Sequence, residues 1–123
     1  MPESFFPYER DDRWKLVLLP LGISDDHGVT VTDDEVTITY GHWTVRTPRS
    51  NVAGSLVTGP HRWWTAVGLR LSFADDGLTF GTNPRRGLCI EFHERIRRVI
   101  GFHDHSALWV SVADPEGLAA ALR

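Results

Sequence analysis

The sequence predicts a mainly β protein, a small antiparallel barrel or sandwich of about seven or eight strands with a short C-terminal helix. Three observations carry this reading. Residues 68–92, GLRLSFADDGLTFGTNPRRGLCIEF, alternate apolar and polar positions around two turns. Residues 29–40, VTVTDDEVTITY, use the same pattern around Asp33-Asp34-Glu35. Asp114-Pro115 pairs a capping carboxylate with proline at the first helical position, the best helix-start signal in the chain. A period of two means one face buried and one face wet.

In chain order, residues 1–13 are polar and acidic around Phe5, Phe6 and Tyr8. They read as an N-terminal arm that packs by its aromatics, ahead of a single β domain over 14–123. Residues 14–19, WKLVLL, suit either a buried strand or one helical turn, because Pro20 and Gly22 forbid a long helix. Val29 and Val31 share a face, as do Val36, Ile38 and Tyr40, so a hairpin is expected there. Trp43 and Val45 mark a further strand that Pro48 ends, and residues 51–58, NVAGSLVT, another. Gly59-Pro60 forces a turn.

The stretch 68–92 reads as three strands of one meander. Leu69, Leu71 and Phe73 share a face, then Leu78 and Phe80, then Leu88, Ile90 and Phe92. Asp75-Asp76-Gly77 and Gly81-Thr82-Asn83-Pro84 are the turns. His93-Glu94-Arg95 breaks the alternation. Leu108, Val110 and Val112 form the last strand, and Leu118, Ala121 and Leu122 give the terminal helix one apolar stripe.

The chain has 123 residues, enough for one domain with a core of its own. A single cysteine, Cys89, excludes an internal disulfide framework. The start, MPESFFPYERDD, lacks a basic stretch followed by an apolar one, so no signal peptide is expected. No apolar run is long enough to span a bilayer. These features point to a cytoplasmic protein. Net charge is −3, and a nucleic-acid partner is not expected of a chain that is not basic. The charge is uneven: residues 1–40 hold nine acids and three bases, residues 41–123 seven acids and ten bases.

Several stretches together carry a resemblance. These are LPLG at 19–22, GVTVTDD at 28–34, Gly59-Pro60, LTFGTN at 78–83, GLCIEF at 87–92 and VADPEGL at 112–118. With them the chain resembles a group of functionally uncharacterised actinobacterial proteins with a pleckstrin-homology-like (PH-like) fold. The resemblance implies a bent antiparallel barrel with the C-terminal helix over one end. It brings no catalytic residues, and fold does not fix function.

No acid/base or nucleophile constellation is present. Cys89 and His93 lie on one side of a strand, but four residues separate them by roughly 13 Å, beyond hydrogen-bond reach. The paired aspartates at 11–12, 25–26, 33–34 and 75–76 lack the calcium-loop pattern and are read as turn residues bonding their own backbone. His103 and His105 are spaced for one strand face, with His93 and His61 as further metal ligands, but a four-ligand set is not evident. Trp43, Trp63 and Trp64 mix with Arg46, Arg49, His61 and Arg62, the composition of a binding surface. Arg85-Arg86 at a turn tip and Arg95, Arg97 and Arg98 after the meander suit an anion, since a guanidinium fork pairs two oxygens at once.

The leading reading is therefore a non-catalytic binding or scaffolding module with a weak surface for anions or acidic partners. Its binding residues are Arg85, Arg86, Arg95, Arg97, Arg98, Arg62, Trp63 and Trp64, and no cofactor is called for. The alternatives are a carrier holding a small molecule in the barrel interior and, last, a metal-dependent enzyme using His103 and His105. Trp43, Phe73, Phe80, Phe92 and Trp109, read as inward-facing, argue for a filled interior. The expected partners are a protein or an anionic ligand, and a second copy of the chain, because 51–58 has few charges to block strand pairing.

Overall fold

Alternating apolar residues build nine strands among the described residues, divided between two sheets. The computed structural model describes residues 3–10, 12–24, 26–60, 67–71, 76–100 and 103–123. His61, Arg62, Trp63, Trp64, Phe73 and Asp75 lie outside them, so the readings made on those residues have no structural counterpart here. The first sheet has the order β1-β2-β3-β4. It contains β1 (Ser4–Pro7), β2 (Gly28–Val31), β3 (Glu35–Tyr40) and β4 (Trp43–Pro48). The second has the order β5-β8-β9-β7-β6. It contains β5 (Val52–Thr58), β6 (Gly68–Leu71), β7 (Leu78–Gly81), β8 (Gly87–Ile96) and β9 (His105–Val110).

The first sheet is an antiparallel meander, with Val29 opposite Ile38 and Ile38 opposite Val45. Thr32 Oγ1, not the aspartates, organises the β2–β3 turn by accepting from the Asp34 and Glu35 amides. Ser4–Pro7, part of the segment read as an arm, pairs with β2. Residues 15–18 settle the ambiguity of WKLVLL as a helical turn, α1 (Lys15–Leu18), which buries only Leu18.

The second sheet departs from the expected meander. β6 and β7 do form a hairpin, but β7 pairs next with β9, and in parallel. β8 lies beyond, antiparallel to β9. A parallel neighbour needs a crossover, and the chain makes it by passing residues 82–86 over the end of β9. Thr82 fixes that passage: its amide donates to Ser111 Oγ at 2.7 Å, one residue past β9. Alternation in sequence identified which side chains share a face, but not which strands are neighbours. Leu71, expected inside with Leu69, is 39 % exposed at the end of β6. His93-Glu94-Arg95 does not end β8; the strand continues to a buried Ile96, with an irregular register against β9 after Glu91.

The two sheets enclose one apolar core rather than closing into a barrel. Val29, Val31, Val36, Ile38, Tyr40 and Val45 of the first sheet meet Leu78, Phe80, Leu88, Ile90, Phe92, Leu108 and Val110 of the second. Tyr40 stacks on Phe80 with ring centroids 4.8 Å apart and donates its hydroxyl to the Gly81 carbonyl at 2.7 Å. Trp109 is a correction to the inward set. Leu108 and Val110 belong to the core, so the residue between them points to the other side of the sheet. There its indole packs on Gly87, where a Cβ would lie 2.5 Å from the ring, and donates to Thr58 Oγ1 at 2.9 Å.

The terminal helix, α2 (Pro115–Ala121), follows its sequence signal. Asp114 Oδ1 accepts from the Gly117 amide at 3.0 Å. A Cβ at Gly117 would sit 2.1 Å from the capping carboxylate, so a larger residue there would displace the Asp114 side chain from its cap. Leu118 and Leu122 are buried in the core. The far end of α2 is held by Arg49, whose Nη2 donates to the Ala121 and Arg123 carbonyls at 2.6 and 2.8 Å. Among the described residues, no helix is long and apolar enough to cross a membrane.

Candidate functional site

Strand β8 carries candidate arginines at both ends and keeps them apart. Arg85 and Arg86 precede its first residue, whereas Arg95, Arg97 and Arg98 lie at and beyond its other end. Ten residues at ~3.3 Å each separate the two groups by roughly 30 Å.

At the first end the arginines are neutralised by distant sequence. Arg85 pairs with Glu9 at 3.2 Å, and Arg86 pairs with Glu116 on α2. Buried polar groups lie beneath them. Asn83 donates to the Glu9 carbonyl at 2.7 Å and accepts from the Arg85 amide at 2.9 Å. Thr82 Oγ1 donates to the same carbonyl at 2.6 Å. Glu9 donates its amide to Ser111, and Ala113 donates to Pro7, so the chain after β1 runs beside the chain after β9. The TFGTN turn is thus the junction between the two sheets.

At the second end the surroundings differ. Residues 93–99 run beside β4, the edge strand of the first sheet, and two adjoining clefts of about 480 and 370 Å³ lie between them. Both clefts are lined by Arg46, Ile96 and Arg97. Arg95 and His93 line the larger, and Arg98, His42 and Trp43 the smaller. Trp43 is half-buried, with its ring 6.4 Å from that of Tyr40. Asn51 fixes this end of β8, accepting from the Glu94 amide at 2.8 Å and donating to the Glu94 carbonyl at 2.9 Å.

The charges in this groove are unequally matched. Arg46 lies 3.4 Å from Glu35, with both side chains largely in water, a pair of little energetic weight. Arg95 Nε donates to Asp76 Oδ2 at 2.5 Å. Glu94 supplies one carboxylate to the lining, and Asp104 accepts from the Arg98 backbone amide at 2.9 Å. The guanidinium groups of Arg97 and Arg98 make no ion pair among the described residues, and both side chains are exposed.

Below the groove sits a polar hub that the sequence reading missed. Asp76 bonds across the sheet to Ser106, 30 positions away. Its Oδ1 accepts from the Ser106 amide at 2.9 Å and from the Ser106 hydroxyl. These bonds, with a further contribution from Arg95, hold its carboxyl down at about 2. His105 is 1 % exposed and has both ring nitrogens engaged. Its Nε2 accepts from the Val99 amide at 3.1 Å, which leaves Nδ1 protonated to donate to the Asp76 carbonyl at 2.7 Å. His105 therefore offers no lone pair to a metal, and it positions the 96–99 segment instead. Among the described residues no group of three His, Cys, Asp or Glu side chains is arranged around a common metal position.

The structure thus joins two clusters that were separate in sequence, Trp43 with Arg46 and Arg95 with Arg97 and Arg98. It removes Arg85 and Arg86 to the sheet junction, and Arg49 to the helix terminus. Comparison with protein-family models, with curated proteins and with solved structures found no match to this chain.

Proposed function

We propose that the chain is a non-catalytic binding or scaffolding module of the cytoplasm, and that it takes anionic groups of a partner in the groove between β4 and residues 93–99. The observation that carries this reading is the contrast among arginines. Arg85, Arg86 and Arg95 have carboxylates of the same chain, whereas Arg97 and Arg98 have none among the described residues and share a groove with Arg46. Arginines held close without counter-charges favour an external carboxylate or phosphate. Trp43 supplies an apolar wall beside them, as at surfaces where an aromatic anchors a partner. The PH-like scaffold belongs to the same proposal. Two packed sheets with a C-terminal helix against the core support it, and the parallel β7–β9 pair departs from its meander.

Heteronuclear NMR titration with an acidic decapeptide tests the reading. Amide shifts confined to residues 42–47 and 93–99, shrinking as salt is raised, are the expected result. Shifts elsewhere, or none at low salt, refute it.

A further inference from the structure

Among the described residues the two sheets end in four edge strands, and three of them are guarded. β1 is four residues long and ends in Pro7. β6 is also four residues long and carries Arg70. β4 presents Arg46 and closes with Pro48. Short strands, charges and prolines are the usual means of stopping edge-to-edge pairing. β5 has none of these three, and the one bulge in it lies at its start, between Val52 and Gly54. Its seven residues, VAGSLVT, include no charge and no proline, and among the described strands it pairs with β8 alone.

We propose that β5 is a self-association edge whose partner is β5 of a second copy of this chain. The pairing is antiparallel about a two-fold axis and joins two five-stranded sheets into one. Self-pairing sets the same edge of the two copies face to face, so an edge carrying one sign of charge would oppose like with like, whereas this neutral edge complements itself. Ala53 is the extra residue of a bulge, because Val52 faces Phe92 while Gly54 faces Glu91. The bulge twists the strand start away and confines the pairing to Gly54–Thr58. Within that span Leu56 is 62 % exposed, and nothing lies within 4 Å of a Cβ at Gly54. A two-fold axis perpendicular to the sheet keeps outer faces together, so the Leu56 side chains of the two copies cover each other. This edge is separate from the arginine groove, and its occupant differs.

Sedimentation velocity of the full chain across micromolar to near-millimolar concentration tests the proposal. The expected mass rises with concentration toward twice 13.9 kDa. Leu56→Lys and Gly54→Glu place charges inside the pairing span, one at an exposed side chain and one where nothing lies within 4 Å of a Cβ, so both variants should keep the melting temperature and stay monomeric. Hydrogen exchange gives a second readout: amides of 54–58 should gain protection with concentration while those of β4 do not. A wild type that remains at monomer mass overturns the proposal. So does a dimer that both variants retain, or one that protects a different edge.

Discussion

The two ends of β8 hold similar arginines in dissimilar roles. At the Gly87 end, Arg85 and Arg86 meet Glu9 and Glu116, contributed from the start and the finish of the chain. At the Ile96 end, Arg97 and Arg98 project beside an edge strand with Arg46 as neighbour. Local sequence treats the two sets alike, since each is a short basic run next to a turn. The difference is made by which carboxylates the topology delivers. One end stitches the sheets together, and the other is left charged.

This contrast predicts a gradient of stability effects. The largest belongs to the junction end, where α2 carries the carboxylate that meets Arg86. Leu118 is fully buried and anchors that helix. Leu118→Ala should cost about 2–5 kcal/mol in chemical denaturation. An effect below 1 kcal/mol (on the order of a surface substitution) would detach the helix from this account. Asn83→Ala should come next at about 1–3 kcal/mol, because it removes a buried side chain that accepts from the Arg85 amide and is one of two side-chain donors to the Glu9 carbonyl. Asp114→Ala removes only a helix cap and should cost about 1 kcal/mol.

Acid sharpens the comparison from the groove side. The Asp76 carboxyl titrates at about 2 in the folded chain, below its ordinary value, mainly because Ser106 bonds its charged form. Such a group stabilises the fold above its unfolded pKa, and the contribution is lost as pH falls from about 4 to about 2. Melting temperature measured across that window should therefore fall, and Asp76→Asn should flatten the fall. Equal slopes for the two proteins would mean that Asp76 is not the group responsible. The smallest effect belongs to Arg97 and Arg98, which make no ion pair among the described residues. Arg97→Ala with Arg98→Ala should change stability by less than about 0.5 kcal/mol.

Much of the fold was legible because pattern reports burial. Val29 through Tyr40 announced a hairpin, and Asp114-Pro115 announced a helix. Pattern was silent on neighbours: Leu78 and Phe80 face the core equally well beside β8 or beside β9. Thr82 and Ser111 decide the matter with a hydrogen bond across 29 residues. The site was legible in half. Arg97 and Arg98 could be named, but their union with Arg46 and Trp43 depends on how one sheet lies over the other. Asp76 looked like a turn residue because its partner, Ser106, is 30 positions away.

The most direct measurement is fluorescence anisotropy of a labelled decaglutamate peptide at low salt, read against two double variants. The account predicts that wild type and Arg85→Ala/Arg86→Ala bind alike, and that Arg97→Glu/Arg98→Glu loses binding at least tenfold, about 1.4 kcal/mol. Equal binding by Arg97→Glu/Arg98→Glu and wild type, or a loss confined to Arg85→Ala/Arg86→Ala, would contradict it.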